Sequence, residues 1–142
     1  MPKAAVVLGS KSDESLGIEI VKLLKEYGVE TDYRILSAHR NPDELDGFVK
    51  GSDAEVFVAV AGLSAALPGF LASRTVKPVI GVPREVKLGG LDALLSMAQM
   101  PPGIPVATVG IENWKNAAIL AVEILALGQP GLAKKLKDAR GR

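Results

Sequence analysis

Apolar residues fall in short continuous runs, separated by stretches in which they recur every three or four positions. The two patterns alternate along the whole chain. Val6, Val7 and Leu8 form a run that stops at Gly9-Ser10, as expected of a strand buried on both faces. Asp13 can cap the next segment, where Leu16, Ile20, Leu23 and Leu24 return at helical spacing until Gly28 ends it. Val29 to Leu36 alternates loosely and predicts a second strand. Asn41-Pro42-Asp43-Glu44 opens a helix with proline at an early position, and Leu45, Phe48 and Val49 supply its apolar face. Val56 to Ala61 is the most apolar run and the third strand. Gly62 breaks it, and a helix of small residues is predicted from about Ser64 to Arg74. Pro78 to Val82 is a fourth strand, followed by a loop at 84–90 and a helix from about Leu91 to Gln99. After the turn Met100-Pro101-Pro102-Gly103, Ile104 to Val109 predicts a fifth strand. Asn113 to Leu127 is a strongly apolar helix stopped by Gly128 and Pro130, and an amphipathic basic helix is predicted over about 130–139.

Five strands alternating with helices imply a parallel sheet with helices on both faces and right-handed crossovers. No linker or repeat interrupts the pattern, so residues 1–142 read as one domain. The expected fold is α/β: a flavodoxin-like, three-layer, doubly wound parallel sheet of strand order 2-1-3-4-5. In such sheets ligands bind beyond the carboxyl ends of the strands, where the strand order reverses. That rule selects the loops at 9–13, 37–42, 62–69 and 83–90.

Composition narrows the chemistry. The hydrophobic fraction of 48% supplies one core, and 4% aromatics make it a core of Val, Ile, Leu and Ala. Seventeen basic and sixteen acidic residues leave a charge of +1, which gives no support for a nucleic-acid binder. There is no cysteine, which excludes disulfides and thiolate chemistry, and the single histidine, His39, cannot form a His-rich metal site. No apolar run reaches the roughly 18 residues of a membrane span. The N-terminus lacks a signal-peptide layout, and a cytoplasmic protein is expected.

The selected loops carry candidate groups. Gly9-Ser10-Lys11-Ser12-Asp13 opens a helix; glycine allows close backbone approach, and free amides with the Ser10 and Ser12 hydroxyls suit a phosphate. Asp13 can accept ribose hydroxyls or serve only as a cap. In Ser37-Ala38-His39-Arg40, His39 has the one side chain with an unperturbed pKa near neutrality, and Arg40 can grip a phosphate or carboxylate with two hydrogen bonds. Ala61, Gly62, Ser64 and Leu67 belong to a small-residue segment that admits a ligand, another subunit or tight helix–sheet packing, and helix amides near Ser64 could bind an anion. The 116–127 helix is apolar around most of its girth, which fits either a subunit interface or a central core helix.

Taken together, GSKSD at 9–13, SAHRNP at 37–42, AG…LPGF at 61–70, KPVIGVP at 77–83, GGLDALLSMAQMPPGIPVATV at 89–109 and NAAILAVEIL at 116–125 resemble one family over nearly the whole chain. It is the purine-biosynthesis family of N5-carboxyaminoimidazole ribonucleotide mutases and aminoimidazole ribonucleotide carboxylases. The resemblance implies a flavodoxin-like subunit in a homo-octamer with sites between subunits. It implies a ribonucleotide phosphate near Ser10, Asp13 and Arg40, and His39 shuttling a proton at the imidazole carbon. It implies CO2 as the other small molecule, and no metal, biotin or ATP.

The chain departs from that pattern at one point. The common bacterial mutases have a longer Gly-rich segment with a second histidine just before Leu-Pro-Gly; here Ala66 stands at that place. Animal-type carboxylases also have a shorter loop without the histidine. SAHR, VIGVP and QMP follow the mutase pattern, so mutase is the expectation and direct carboxylation of aminoimidazole ribonucleotide with CO2 the alternative. A non-catalytic nucleotide-binding module on the same sheet is the alternative from another class, and a carboxylase acting on a pyridinium nucleotide is a further one. The SAHR histidine and the complete QMP–PVATV stretch argue against both.

Overall fold

The computed structural model describes residues 1–141. Five parallel strands form a sheet of order β2-β1-β3-β4-β5: β1 (Lys3–Leu8), β2 (Glu30–Ile35), β3 (Val56–Ala61), β4 (Val79–Pro83) and β5 (Ala107–Thr108). This is the expected flavodoxin-like order. The central strands are parallel and covered on both faces, so they can be apolar at every position rather than at alternate ones. All six residues of β3 are buried, as are Ala4 to Leu8 of β1. The edges differ. On the β2 edge Glu30, Arg34 and Ile35 are exposed, and the two charges discourage further strand pairing.

The helices are α1 (Glu14–Glu26), α2 (Pro42–Gly51), α3 (Leu67–Ala72), α4 (Leu91–Ala98), α5 (Trp114–Ala126) and α6 (Pro130–Ala139). Alternate side chains of a strand point to opposite faces, and two cores result. Val6 and Leu8 of β1 with Val58 and Val60 of β3 pack against Ile20, Leu24, Ala118, Val122 and Leu136 from α1, α5 and α6. Val7, Phe57 and Ala59 pack on the opposite face against Leu45, Val49, Leu71 and Met97 from α2, α3 and α4. The helix α5 packs on α1, α6, β3 and β4, which bury Ala117, Ala118, Ala121, Val122 and Leu125 and leave Ile119, Leu120 and Ile124 partly exposed.

Three expectations change. The fifth strand shrinks from Ile104–Val109 to Ala107–Thr108, because Pro105 offers no N–H to a ladder and the edge has one neighbour only. The third helix starts at Leu67 rather than near Ser64, because Ser64 sits at φ 48° and cannot continue a right-handed turn. Asp13 makes no side-chain cap to α1; Ser10 caps a single 3-10 turn over Lys11–Asp13 that leads into α1.

Phe57 is the largest fully buried side chain and meets Phe48 edge-on with ring centroids 6.5 Å apart. Phe57→Ala is expected to cost about 3–5 kcal/mol of stability through lost transfer energy and the cavity left behind. Urea unfolding at constant m-value measures it.

Candidate functional site

The first helix starts where β1 ends. The Gly9 N–H donates to Val60 O at 3.0 Å, which draws the loop after β1 onto the end of β3. The Ser10 hydroxyl accepts the Ser12 N–H at 3.3 Å, and the Asp13 carboxylate accepts the Ser10 N–H at 3.1 Å. These reciprocal bonds form a capping box. They also set the Ser10 and Ser12 hydroxyl oxygens 3.0 Å apart.

The turn after β2 is built around Ser37. Its hydroxyl accepts the N–H groups of His39 at 3.2 Å and Arg40 at 3.1 Å, while the Asn41 side chain accepts the Ser37 N–H at 3.3 Å. The tight turn throws the side chains of His39 and Arg40 out at the start of α2, where both are exposed. After β3, Gly62 is buried against the next loop. A Cβ there would come within 2.5 Å of Val86 Cγ2 and 3.1 Å of Arg84 Cβ, so any larger residue must displace Val86.

These loops enclose an open cavity of about 410 Å³ at the carboxyl ends of β1, β2 and β3. It is lined by Gly9, Ser10, Ser12, Asp13, Ser37, Ala38, His39, Arg40, Ala61, Gly62, Ser64 and Leu67. Every candidate site residue named from the sequence therefore lies on one pocket. Leu63 and Val86 also line it; they lie in the selected loops 62–69 and 83–90 but were not named as site residues, since both are exposed apolar side chains with no periodic neighbour to single them out. The short α3 adds little for an anion, because its second residue is Pro68, which lacks an N–H. Ala66, at the helix N-cap, is exposed and absent from the lining.

Behind the pocket stands a charge network that the sequence did not disclose. Arg84 Nη1 donates to Ser12 O at 2.7 Å and approaches Asp13 Oδ1 at 3.4 Å. Arg84 Nε donates to Glu112 Oε2 at 3.0 Å, and the same oxygen accepts the Glu85 N–H at 2.9 Å. Among the described residues Asp13 is the one buried charged group, 3% exposed. Burial pushes its carboxyl above the ordinary aspartate value, against the pull of the Arg84 guanidinium and the Ser10 N–H. Burial also works to raise Glu112, but the Glu85 N–H and Arg84 outweigh it, and that carboxyl lies below its ordinary range. No cluster of three or more His, Asp or Glu side chains able to hold a metal occurs among the described residues.

A doubly wound parallel sheet with a polar, glycine-lined pocket at its strand-order reversal is a small-ligand-binding α/β protein. The family described as AIR carboxylase matches residues 3–142, and the chain belongs to that family. It is 58% identical over 135 residues to an N5-carboxyaminoimidazole ribonucleotide mutase of Methanocaldococcus jannaschii, covering 95% of this chain and 86% of that one. It is 44% identical over 146 residues to a mutase of the same name from Thermotoga maritima, covering 100% of this chain and 85% of that one. The crystal structure of Treponema denticola PurE superposes with a TM-score of 0.86 at 29% identity, covering 99% of this chain and 90% of that one.

The lowered Glu112 value fixes the sign of a pH effect. A carboxyl depressed on folding adds stability above its unfolded value, ordinarily 4.5, and that stability fades as the pH falls through the folded value. Glu112→Gln is therefore expected to be less stable than the parent at neutral pH, and the gap should close in acid. Chemical unfolding at a series of pH values checks it; a gap that widens in acid contradicts the assignment.

Proposed function

We propose that this protein acts in purine biosynthesis, converting N5-carboxyaminoimidazole ribonucleotide to 4-carboxy-5-aminoimidazole ribonucleotide. The carboxyl group moves from the exocyclic nitrogen to C4 of the ring. The observation that carries the reading is the convergence of the chain's one histidine, an arginine and a serine-rich helix entry on one pocket, in a member of this family.

The pocket suits the chemistry. Loop 9–13 and Arg40 offer hydroxyls, a helix N-terminus and a fork of N–H donors to the nucleotide phosphate, which anchors the ring for the step at C4. The N–C bond to the carboxyl breaks, its electron pair returns to the exocyclic nitrogen, and CO2 is released in place. C4 of the enamine-like ring then attacks that CO2. The C4 proton must leave to restore aromaticity, while the exocyclic nitrogen gains one, so no net proton is consumed. His39 is the group to carry it, because it brings the chain's one imidazole, a side chain able both to take and to give a proton, to this pocket. The backbone-rich wall at Ala61, Gly62 and Ser64 holds CO2 close and limits water.

The direct carboxylase uses the same attack by C4 but draws CO2 from solution; Ala66, in place of the second histidine of common bacterial mutases, is the observation that keeps this second reading open. The protein works as a homo-oligomer, an octamer in the family's pattern, in the cytoplasm. The exposed Leu91 and Leu95, one turn apart on α4, with the exposed Leu88 in the segment before it, support an assembled form.

Two substrate pairings decide between the readings. Turnover of the N5-carboxylated ribonucleotide without added bicarbonate is the expected result; turnover only with the uncarboxylated ribonucleotide plus bicarbonate would establish the carboxylase instead. His39→Asn should keep the fold and much of the nucleotide affinity and lose about 10² to 10⁴ in rate. A folded asparagine variant within a few-fold of the parent would remove His39 from the mechanism. Arg40→Ala should weaken nucleotide binding by about ten- to a hundredfold, the worth of one charge-assisted contact, with calorimetry as the readout.

A further inference from the structure

One guanidinium joins three loops at the back of the pocket without lining it. Arg84 reaches Ser12 and Asp13 in the loop after β1, and is held in turn by Glu112 in the loop after β5. Its own place is fixed by the sheet. The Arg84 N–H donates to Ala61 O at 3.0 Å, continuing the β3–β4 ladder, and its stem lies over Gly62. Glu112 adopts φ 64°, a left-handed conformation that costs a residue with a Cβ, and it persists because Arg84 and the Glu85 N–H both bind its carboxylate. Surface ion pairs contribute little to stability, so a strained and partly desolvated one is poorly explained by the fold alone.

We propose that Arg84, braced by Glu112, is a positioning residue for the substrate site: it fixes the Ser12 carbonyl and the Asp13 carboxylate, and through them the loop that receives the ribonucleotide. The inference rests on the ribonucleotide reading of the pocket.

The physical link runs through Asp13. Its carboxylate is buried and closes the capping box on Ser10, and it accepts the Ser10 N–H more strongly charged than protonated. Burial favours its protonation, and Arg84 supplies the opposing charge. Glu112 acts on the same carboxyl from the β5 side, Tyr33 of β2 lies near it with its hydroxyl donating to Glu14 of α1, and His39 and Arg40 line the same pocket. Without Arg84, Asp13 takes up a proton at a higher pH, the box loosens, and the Ser10 and Ser12 hydroxyls lose their fixed separation.

The test compares Arg84→Gln and Arg84→Lys with the parent, each shown to be folded. In Arg84→Gln the expected result is a fall in kcat/KM of about ten- to a hundredfold, carried mainly by KM, with the acid limb of the pH profile moved to higher pH. Arg84→Lys restores the charge but not the fork, so it should return the acid limb and recover KM only in part. Carbon-13 NMR of the Asp13 carboxyl without substrate should show its titration moving up in Arg84→Gln and back in Arg84→Lys. A purely structural Arg84 would lower Tm and leave KM, the acid limb and the Asp13 titration unchanged; that outcome overturns the proposal. If Arg84→Gln does not fold, Arg84→Lys decides alone: it keeps the charge but not the fork, so KM should rise while the Asp13 titration stays near that of the parent, and an unchanged KM there overturns the proposal equally. A parent that fails to turn over the ribonucleotide sinks the functional reading, whereas an unmoved Asp13 titration in Arg84→Gln sinks the role of Arg84 whatever the substrate.

Discussion

The parallel pairing of β1 with β3 is the constraint on which the rest depends. Leu8 lies opposite Val60, and the ladder runs one residue further through Gly9. The chain leaves these two neighbouring strands toward opposite faces, from β1 into α1 and from β3 into α3. Two adjacent strands whose exits diverge must leave a cleft between them. The pocket is therefore a consequence of strand order, and the side chains around it need only be small or polar enough to leave it open.

The sheet also supplies rigidity. Most lining residues sit within a few positions of a fully buried strand, so the loops are short extensions of a packed core. A pocket of that kind can hold a planar ring and a phosphate at fixed separation with little reorganisation. His39 is among the exposed lining residues. The Ser37 hydroxyl fixes the backbone beneath it, while its imidazole makes no side-chain hydrogen bond within the chain among the described residues. Orientation of the turn with freedom of the ring suits the proton transfer proposed for His39.

Much of this was legible before any coordinates. Val56–Ala61 has the same ends in sequence and structure, because six consecutive apolar residues bounded by Glu55 and Gly62 admit no other strand. The pocket residues were legible for a topological reason: once strand order is known, the loops that matter are named. What failed was local backbone detail. Nothing in the composition of 62–66 reveals the left-handed turn at Ser64, and the pattern of 104–109 conceals how few ladder bonds an edge beside Pro105 can make. The Arg84–Glu112 pair was invisible because its members are 28 residues apart and meet only through the β4–β5 register. α5 posed a different problem: apolarity on all sides reports burial but not what does the burying, and here α1, α6 and the sheet cover one side fully and the rest in part.

The scarcity of aromatic and imidazole side chains has a practical consequence. The chain holds one tryptophan and one histidine. Trp114 follows Glu112 by two residues, with its N–H bonded to the Glu112 carbonyl at 2.9 Å and its ring packed on the core beneath β1 and β3. His39 stands on the pocket rim. The protein thus carries two natural, unambiguous spectroscopic reporters. An indole emission band senses the far end of the charge network, and a single imidazole proton resonance senses the ligand edge. Events at the two ends of the site can be followed separately in the unlabelled, unaltered chain.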